Sequence, residues 1–299
     1  MKLVLGMPWY TGPDDNTFPL YFDQMMYFGA LRERSLWMDI VDDEQADIIL
    51  PQLPSLDETG YKKSLADPTV EEWKKLGKLE IYLVNYSRTS LVGLAREKIV
   101  ETAISIEADY LFWWDDDMRF EKDAFLRLWR HQKPVISALA FTARDPIHPV
   151  IFRLSERWDN VAQSKVIEKN EIVMDYPRDQ LIGSSDIGGE LALGAAVGLI
   201  EMTVFKEVPQ PWFMSTGCGE DYFFSYRCKE YGIERWMDTS VKTEHLHHSP
   251  RWCNEEAYWQ YRETNHELYK KDFGETVKAV KDGQVVVTEL GAVVAGVIA

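Results

Sequence analysis

Apolar positions along the chain fall into two rhythms, short continuous runs and longer stretches at helical spacing, and their order predicts strands alternating with helices. Residues 2–7 read as a first strand. A loop rich in Pro, Gly, Asp and Asn follows over residues 8–19, then an apolar segment suited to a helix over residues 20–36. Further short apolar runs lie at residues 47–50, 79–84, 110–114 and 134–140. Two amphipathic helices separate the last three. One carries Leu91, Ala95, Ile99, Ala103 and Ile106, the other Phe120, Ala124, Phe125, Leu128 and Trp129. Strands alternating with helices of this length predict an α/β fold with a mainly parallel sheet, in which ligands bind beyond the carboxyl ends of the strands.

The pattern weakens over residues 155–190 into charged and Gly/Ser-containing sequence, which predicts a loop. It resumes at residues 192–200, whose small residues predict one strand with something packed close to its backbone. Residues 222–231 predict a helix with Phe224, Cys228 and Tyr231 on one face.

Composition narrows the class. With 299 residues the chain is long enough for a full-sized core. Its net charge of −16, without any Lys/Arg run, disfavours nucleic acid as a bulk-charge partner and leaves room only for a local groove onto a single base. Three cysteines, Cys218, Cys228 and Cys253, lack Cys-x-x-Cys spacing, so neither a disulfide framework nor a zinc knuckle is indicated. The apolar stretch at the amino terminus is too short for a signal peptide or a membrane span, and a cytoplasmic location is expected. The apolar last ten residues, 290–299, are expected to pack as an extra element or against a second copy, as in a homo-oligomer. Eleven tryptophans exceed what a core usually takes up, and carbohydrate or nucleobase platforms are one outlet for the surplus.

The chemistry concentrates in two places. The run from Tyr110 to Trp114 drives an apolar strand into Asp115, Asp116 and Asp117. If the segment stays extended, Asp115 and Asp117 share a face and Asp116 points away. Two carboxylates a few ångströms apart repel by roughly 3–4 kcal/mol at an effective dielectric near 20, a cost that a divalent cation removes. The bland alternative is an acidic cap on the following helix. Later, Pro211-Trp212-Phe213 leads through Gly217-Cys218-Gly219 to Glu220-Asp221 at a predicted helix start. Aromatics before the acidic pair and glycines around it suggest a bowl in which a sugar ring stacks on Trp212 and Phe213 while a carboxylate reaches a hydroxyl. Half of the six histidines lie at positions 245, 247 and 248, and His245 and His247 share a face if that segment is extended.

Taken in order, Asp115-x-Asp117, the Gly/Ala-rich strand, Pro-Trp-Phe, Glu220-Asp221 and the late His resemble the GT-A-fold glycosyltransferases, most closely the family 2-like members of bacteria and bacteriophages. Leu94-Ala95-Arg96 is similar to the family's Ala-Arg-Asn, with Glu97 in place of the Asn, and Phe141-Thr142-Ala143-Arg144 to its post-motif strand. The resemblance covers residues 3–245. It implies a Rossmann-like GT-A catalytic domain over residues 1–250, with a nucleotide-sugar half at about 1–130 and an acceptor half at about 131–250, and a carboxyl-terminal extension over 251–299. It further implies that Mn²⁺ or Mg²⁺ is held by Asp117, by His245 or His247, and by the diphosphate of a nucleoside-diphosphate sugar, a UDP-sugar foremost. Asp115 then completes the metal shell or holds the ribose, Asp116, Pro8 and Tyr10 belong to the donor side, and Arg96 adds a positive contact unless it forms only a surface ion pair. Asp221, beside Glu220, deprotonates an acceptor hydroxyl if the reaction inverts. Glycan, lipid-linked sugar, protein and a modified DNA base all present such a hydroxyl.

Two other readings compete. A sugar-phosphate nucleotidyltransferase shares the architecture but calls for a Gly-rich, basic turn after the first strand, where this chain has Gly6-Met7-Pro8-Trp9-Tyr10. A non-catalytic carbohydrate-binding protein on a transferase scaffold has no reason to keep mutually repelling carboxylates.

Overall fold

The computed structural model describes residues 1–9, 18–36, 67–87, 91–160, 164–214, 219–246 and 252–273. In chain order the elements begin β1 (Lys2–Trp9), α1 (Phe18–Ser35), α2 (Val70–Leu76), β2 (Glu80–Ser87), α3 (Val92–Ser105) and β3 (Tyr110–Trp114). They continue β4 (Met118–Phe120), α4 (Ala124–Arg130), β5 (Val135–Leu139), β6 (Ile151–Asp159), β7 (Ser164–Ile172), β8 (Leu181–Ile182) and a 3-10 turn (Ser184–Ile187). The remainder is β9 (Glu190–Leu193), β10 (Val197–Glu201), α5 (Val204–Glu207), α6 (Glu220–Glu230), β11 (Arg235–Leu246), β12 (Trp252–Cys253), α7 (Glu255–Thr264) and α8 (His266–Phe273).

Among the described residues the main sheet runs β12-β11-β5-β10-β3-β1-β2, with β4 and β8 paired to β11. β2, β1 and β3 are mutually parallel, β10 enters antiparallel between β3 and β5, and β5 and β11 are again parallel. The α/β class and the mainly parallel central sheet flanked by helices are as the pattern predicts. Period-two alternation sorts the side chains onto two faces. Leu3, Leu5, Met7, Phe112 and Trp114 point to one, under α1, α2 and α4, where Phe28 packs its ring 5.9 Å from Phe112 and 6.0 Å from Phe125. Val4, Leu111 and Trp113 point to the other, where α3 buries Ala95, Ile99 and Ala103 at a four-residue spacing.

Four expectations need correction. Residues 155–190 are not a loop: β6 and β7 form an antiparallel hairpin that joins β9 in a separate three-stranded sheet. Its inner positions Phe152 and Leu154 are buried while Arg153, on the other face, bridges to its cross-strand partner Glu171 at 2.7 Å, so charge on the open face hides the alternation. Residues 192–200 are two strands, not one, because Gly194-Ala195-Ala196 leaves the small sheet and re-enters the large one. Phe120 closes β4 rather than opening a helix, and α4 starts at Ala124. The acidic triplet is not extended: the Met118 amide donates to the Asp115 carbonyl at 3.1 Å, closing a turn that reverses the chain from β3 into β4.

The run at residues 47–50, Tyr10, Gly217, Cys218, His247, His248 and the apolar residues 290–299 lie outside the described residues. Cys228 and Cys253 are buried. No described helix is long and apolar enough to cross a membrane.

Candidate active site at the carboxyl end of the sheet

The turn that carries Asp115, Asp116 and Asp117 sits where β3 ends, and three other elements converge on it. From α3 comes Arg96, only 3% exposed in its side chain. Its Nη2 donates to Asp115 Oδ1 at 3.0 Å and Oδ2 at 2.9 Å, its Nη1 to the Ala195 carbonyl at 3.3 Å and its Nε to Glu220 Oε1 at 3.4 Å. The guanidinium lies 4.9 Å over the Trp113 ring, a cation–π contact that helps hold it in an otherwise apolar surround. Arg96 is therefore a buried cation and not a surface ion pair. The break between β9 and β10 supplies the Ala195 acceptor, and the Ala196 carbonyl takes the Asp115 amide at 3.0 Å.

From β11 comes His245. Its Nε2 stands 3.0 Å from Asp117 Oδ2, and its Nδ1 is 2.7 Å from the Phe141 carbonyl. A carbonyl can only accept, so Nδ1 carries a proton and the ring is aimed with Nε2 at Asp117. Burial acts to lower the His245 pKa, but the bond and charge of Asp117 outweigh it and hold it above the usual range. Burial acts to raise Asp117, and His245 in turn holds that carboxyl below its usual value.

The start of α6 presents Glu220 and Asp221. Gly219 before them has φ +96°, a left-handed value that a side chain strains to adopt, so glycine lets the chain swing into the helix with the acidic pair turned inward. Burial, reinforced by Glu220 and opposed by Arg96, pushes Asp221 up to about 6. Asp221 Oδ2 lies where Gly194 leaves space: a Cβ on Gly194 would sit 3.6 Å from that oxygen and 2.4 Å from Val150 Cγ1. Burial also pushes Asp115 up to about 7, against the pull of Arg96 and with the repulsion of Asp117 adding to it.

Of the residues singled out from the sequence, the fold thus gathers Arg96, Asp115, Asp117, Glu220, Asp221 and His245. Asp116 sits partly exposed in the same turn, and Pro8 is buried within β1 opposite Tyr86 of β2. Three assignments change. Asp115 spends both oxygens on Arg96, and among the described residues no three His, Cys, Asp or Glu side chains converge as a metal cage, so Asp117 and His245 are the pair facing one point. Trp212 and Phe213 are not an open stacking platform. They are 5% and 2% exposed, with Trp212 Nε1 donating to the Val208 carbonyl and Phe213 packed edge-on to Trp113 at 5.5 Å and stacked on Phe224 at 4.7 Å. Among the described tryptophans Trp73, Trp113, Trp114 and Trp129 are also buried, while Trp236, Trp252 and Trp259 are half-buried. Backbone groups of Ala195, Ala196 and Phe141 complete the site, the first two signalled by the small-residue run around Gly194 and the third by the resemblance of Phe141-Thr142-Ala143-Arg144 to a post-motif strand.

No protein-family model matches the sequence, and no curated protein matches it. Solved structures align with the chain at low similarity. The protein A197 from STIV aligns with 58% of this chain and 81% of its own, at 13% identity and a TM-score of 0.37. An apo UDP-glucose pyrophosphorylase aligns with 90% of this chain and 98% of its own, at 10% identity and a TM-score of 0.35. A UDP-glucose pyrophosphorylase complexed with UDP-glucose aligns over 67% and 70%, at 11% identity and a TM-score of 0.30.

Proposed function

We propose that the chain is a metal-dependent glycosyltransferase of GT-A type that moves a sugar from a nucleoside-diphosphate sugar, a UDP-sugar foremost, to an acceptor hydroxyl. The observation that carries this reading is the facing pair Asp117–His245 at 3.0 Å, set beside the Arg96–Asp115 pair and the raised carboxyl of Asp221 at one end of a mainly parallel sheet. The donor set fits a divalent ion. An imidazole tied at Nδ1 to a backbone carbonyl presents Nε2 as a ligand, and a carboxylate oxygen already faces it. Four carboxylates against the Arg96 guanidinium and the His245 imidazole leave the site short of positive charge. Bound there by Asp117 and His245, Mn²⁺ or Mg²⁺ supplies positive charge for the diphosphate leaving group, as such ions do in phosphate-containing sites.

The chain's own residues do the rest. Asp115 keeps Arg96 in place at the donor side, where its guanidinium supplies a second cation to the diphosphate. Glu220 restrains Arg96 from the acceptor side and, by repulsion, raises Asp221. Asp221, poised near neutrality, takes the proton of the acceptor hydroxyl in an inverting transfer, a contribution of about 10²–10⁴ in rate for a general base. In this reading residues 1–130 hold the donor and residues 131–250 the acceptor, which is a glycan, lipid-linked sugar, protein or modified base.

Incubation with a panel of nucleotide-sugars and Mn²⁺ tests it. Chelator-sensitive release of nucleoside diphosphate is expected, lost in Asp117→Asn with the fold intact by circular dichroism. Release of pyrophosphate from a nucleoside triphosphate plus sugar phosphate would instead assign a nucleotidyltransferase, a reading weakened by the absence of Lys and Arg from residues 8–19.

A further inference from the structure

Glu97, the residue after Arg96 on α3, lies outside the cluster just described, yet its carboxylate has a specific task. Its Oε1 accepts the backbone N–H of Trp212 at 2.5 Å and of Phe213 at 2.5 Å, and its Oε2 takes Gln210 Nε2 at 3.4 Å. Consecutive residues of one helix therefore hold the acceptor side at two points. Glu97 holds it at 212–213, and Arg96 holds it at Glu220, 3.4 Å from its Nε. Gly219, whose backbone freedom leaves the direction of entry into α6 to be set from outside, precedes Glu220-Asp221, and Phe213 meets α6 directly through its stack on Phe224. Side-chain packing fixes the 212–213 end laterally, through Phe213 on Trp113 and Phe224, but a ring stack sets no register along the chain. Two N–H groups converging on one carboxylate oxygen do set it, because charge-assisted hydrogen bonds are directional as well as strong. Trp113 closes the circuit: it meets Phe213 on one side and carries the Arg96 guanidinium on another.

We propose that Glu97 is a positioning residue for Asp221: with Arg96 it forms a two-point bracket that sets how far the acceptor-side carboxylate stands from the donor side at Asp115 and Asp117. The proposal rests on the transferase reading for the meaning of that distance. The bracket itself is a statement about the chain alone. It also accounts for Glu standing where the resembling family carries Asn, since a carboxylate oxygen accepts two amide protons more strongly than a neutral amide does.

The test compares Glu97→Ala with Glu97→Gln by two readouts on the full chain. In the first, Glu97→Ala is expected to lower the kcat of transfer by about 10–100-fold, as a displacement on the order of an ångström does, while the Kd for UDP with Mn²⁺ stays within about twofold of the parent. Glu97→Gln keeps an oxygen for the two N–H groups and is expected to lie within about fivefold of the parent. In the second, amide hydrogen exchange is expected to speed up in Glu97→Ala at residues 212–213 and again at residues 220–222, and to recover in Glu97→Gln. Unchanged exchange at 220–222 in Glu97→Ala overturns the bracket, as does a parallel loss of UDP affinity and kcat, which marks Glu97 as a general support of the fold. If the parent turns over no nucleotide-sugar, the transferase reading falls and the exchange at 220–222 decides the bracket by itself.

Discussion

Asp221 is the residue whose environment and assigned chemistry can be set against each other. Its carboxyl rises from an ordinary 3.8 to about 6 because it is buried beside Glu220, with Arg96 relieving only part of the strain. A base must be ionised to work, so kcat/KM is expected to fall about tenfold per unit as pH drops below about 6. A pH–rate profile checks this, and a limb near 4 would contradict the assignment. The same shift has an opposite effect on stability. A raised carboxyl binds its proton more tightly in the folded chain, so its contribution is present below about 4 and is lost as pH rises through about 6. Asp221→Asn does not titrate, and it is expected to be inactive yet more stable than the parent at pH 8, by ~1–3 kcal/mol, with the gap closing toward pH 4. Urea midpoints at the two pH values measure it, and an equal gap at both would refute the linkage. At this scale the sequence carried residue types well and partners poorly. Asp117, His245 and Asp221 stood out as carboxylates and imidazole in company with aromatics and glycines. Nothing in the linear order showed that Arg96 would claim Asp115, or that Trp212 and Phe213 would turn inward once Glu97 had taken their amides.

Elements deliver these residues through the ends of strands and the breaks between them. The break at Gly194-Ala195-Ala196 does more than connect two sheets, because it places the carbonyls of Ala195 and Ala196 against Arg96 and Asp115 and lets Asp221 and Val150 pack close to the Gly194 backbone. Small residues were visible there in the sequence, but apolar continuity across residues 192–200 masked the break, since both flanking strands are buried and neither shows alternation. The hairpin of β6 and β7 was hidden for the converse reason, with charge at Arg153, Glu156, Lys169 and Glu171 interrupting the apolar pattern. β1, β3 and α3 were legible because each keeps a single period throughout its length. The break makes a defined prediction. Gly194→Ala puts a Cβ onto Val150 Cγ1 and 3.5 Å from Val150 Cβ, and the Val150 backbone is held by its amide on the Ala140 carbonyl at 2.9 Å, so the new methyl fits only if Val150 leaves its rotamer or the loop shifts. Overpacking of this kind costs about 1–3 kcal/mol and pushes the loop toward Asp221. The substitution is expected to lower the melting temperature and transfer activity together. Val150→Ala in the same chain is expected to recover most of both, which a double-mutant cycle reads directly. Additive losses would show that the contact is not the cause.

Across the whole molecule, charge is the quantity that sets the site's demand for a ligand. The chain carries a net charge of −16, and its acidic residues are not merely solvated surface: Asp115, Asp117, Glu220 and Asp221 meet at one end of the sheet, with Arg96 as the buried counter-ion of Asp115 and Glu220 and His245 as the partner of Asp117. The folded state holds this repulsion and the unfolded chain does not, so whatever relieves it stabilises the fold by mass action. A divalent ion with UDP at a hundred times its Kd is expected to add ~2.7 kcal/mol, which for a chain of this size is a rise of about 4–5 °C in Tm. The rise is expected to need both components, because Asp117 and His245 offer only two protein donors and the remaining positions fall to phosphate and water oxygens. It is expected to shrink to the level of UDP alone in Asp117→Asn and in His245→Ala. Thermal melts with Mn²⁺, with UDP, with both, and with NaCl at matched ionic strength separate site binding from screening. Screening acts over the whole −16 surface and is indifferent to one carboxylate, so a rise that NaCl reproduces, or that survives Asp117→Asn undiminished, would remove the pair from the metal site.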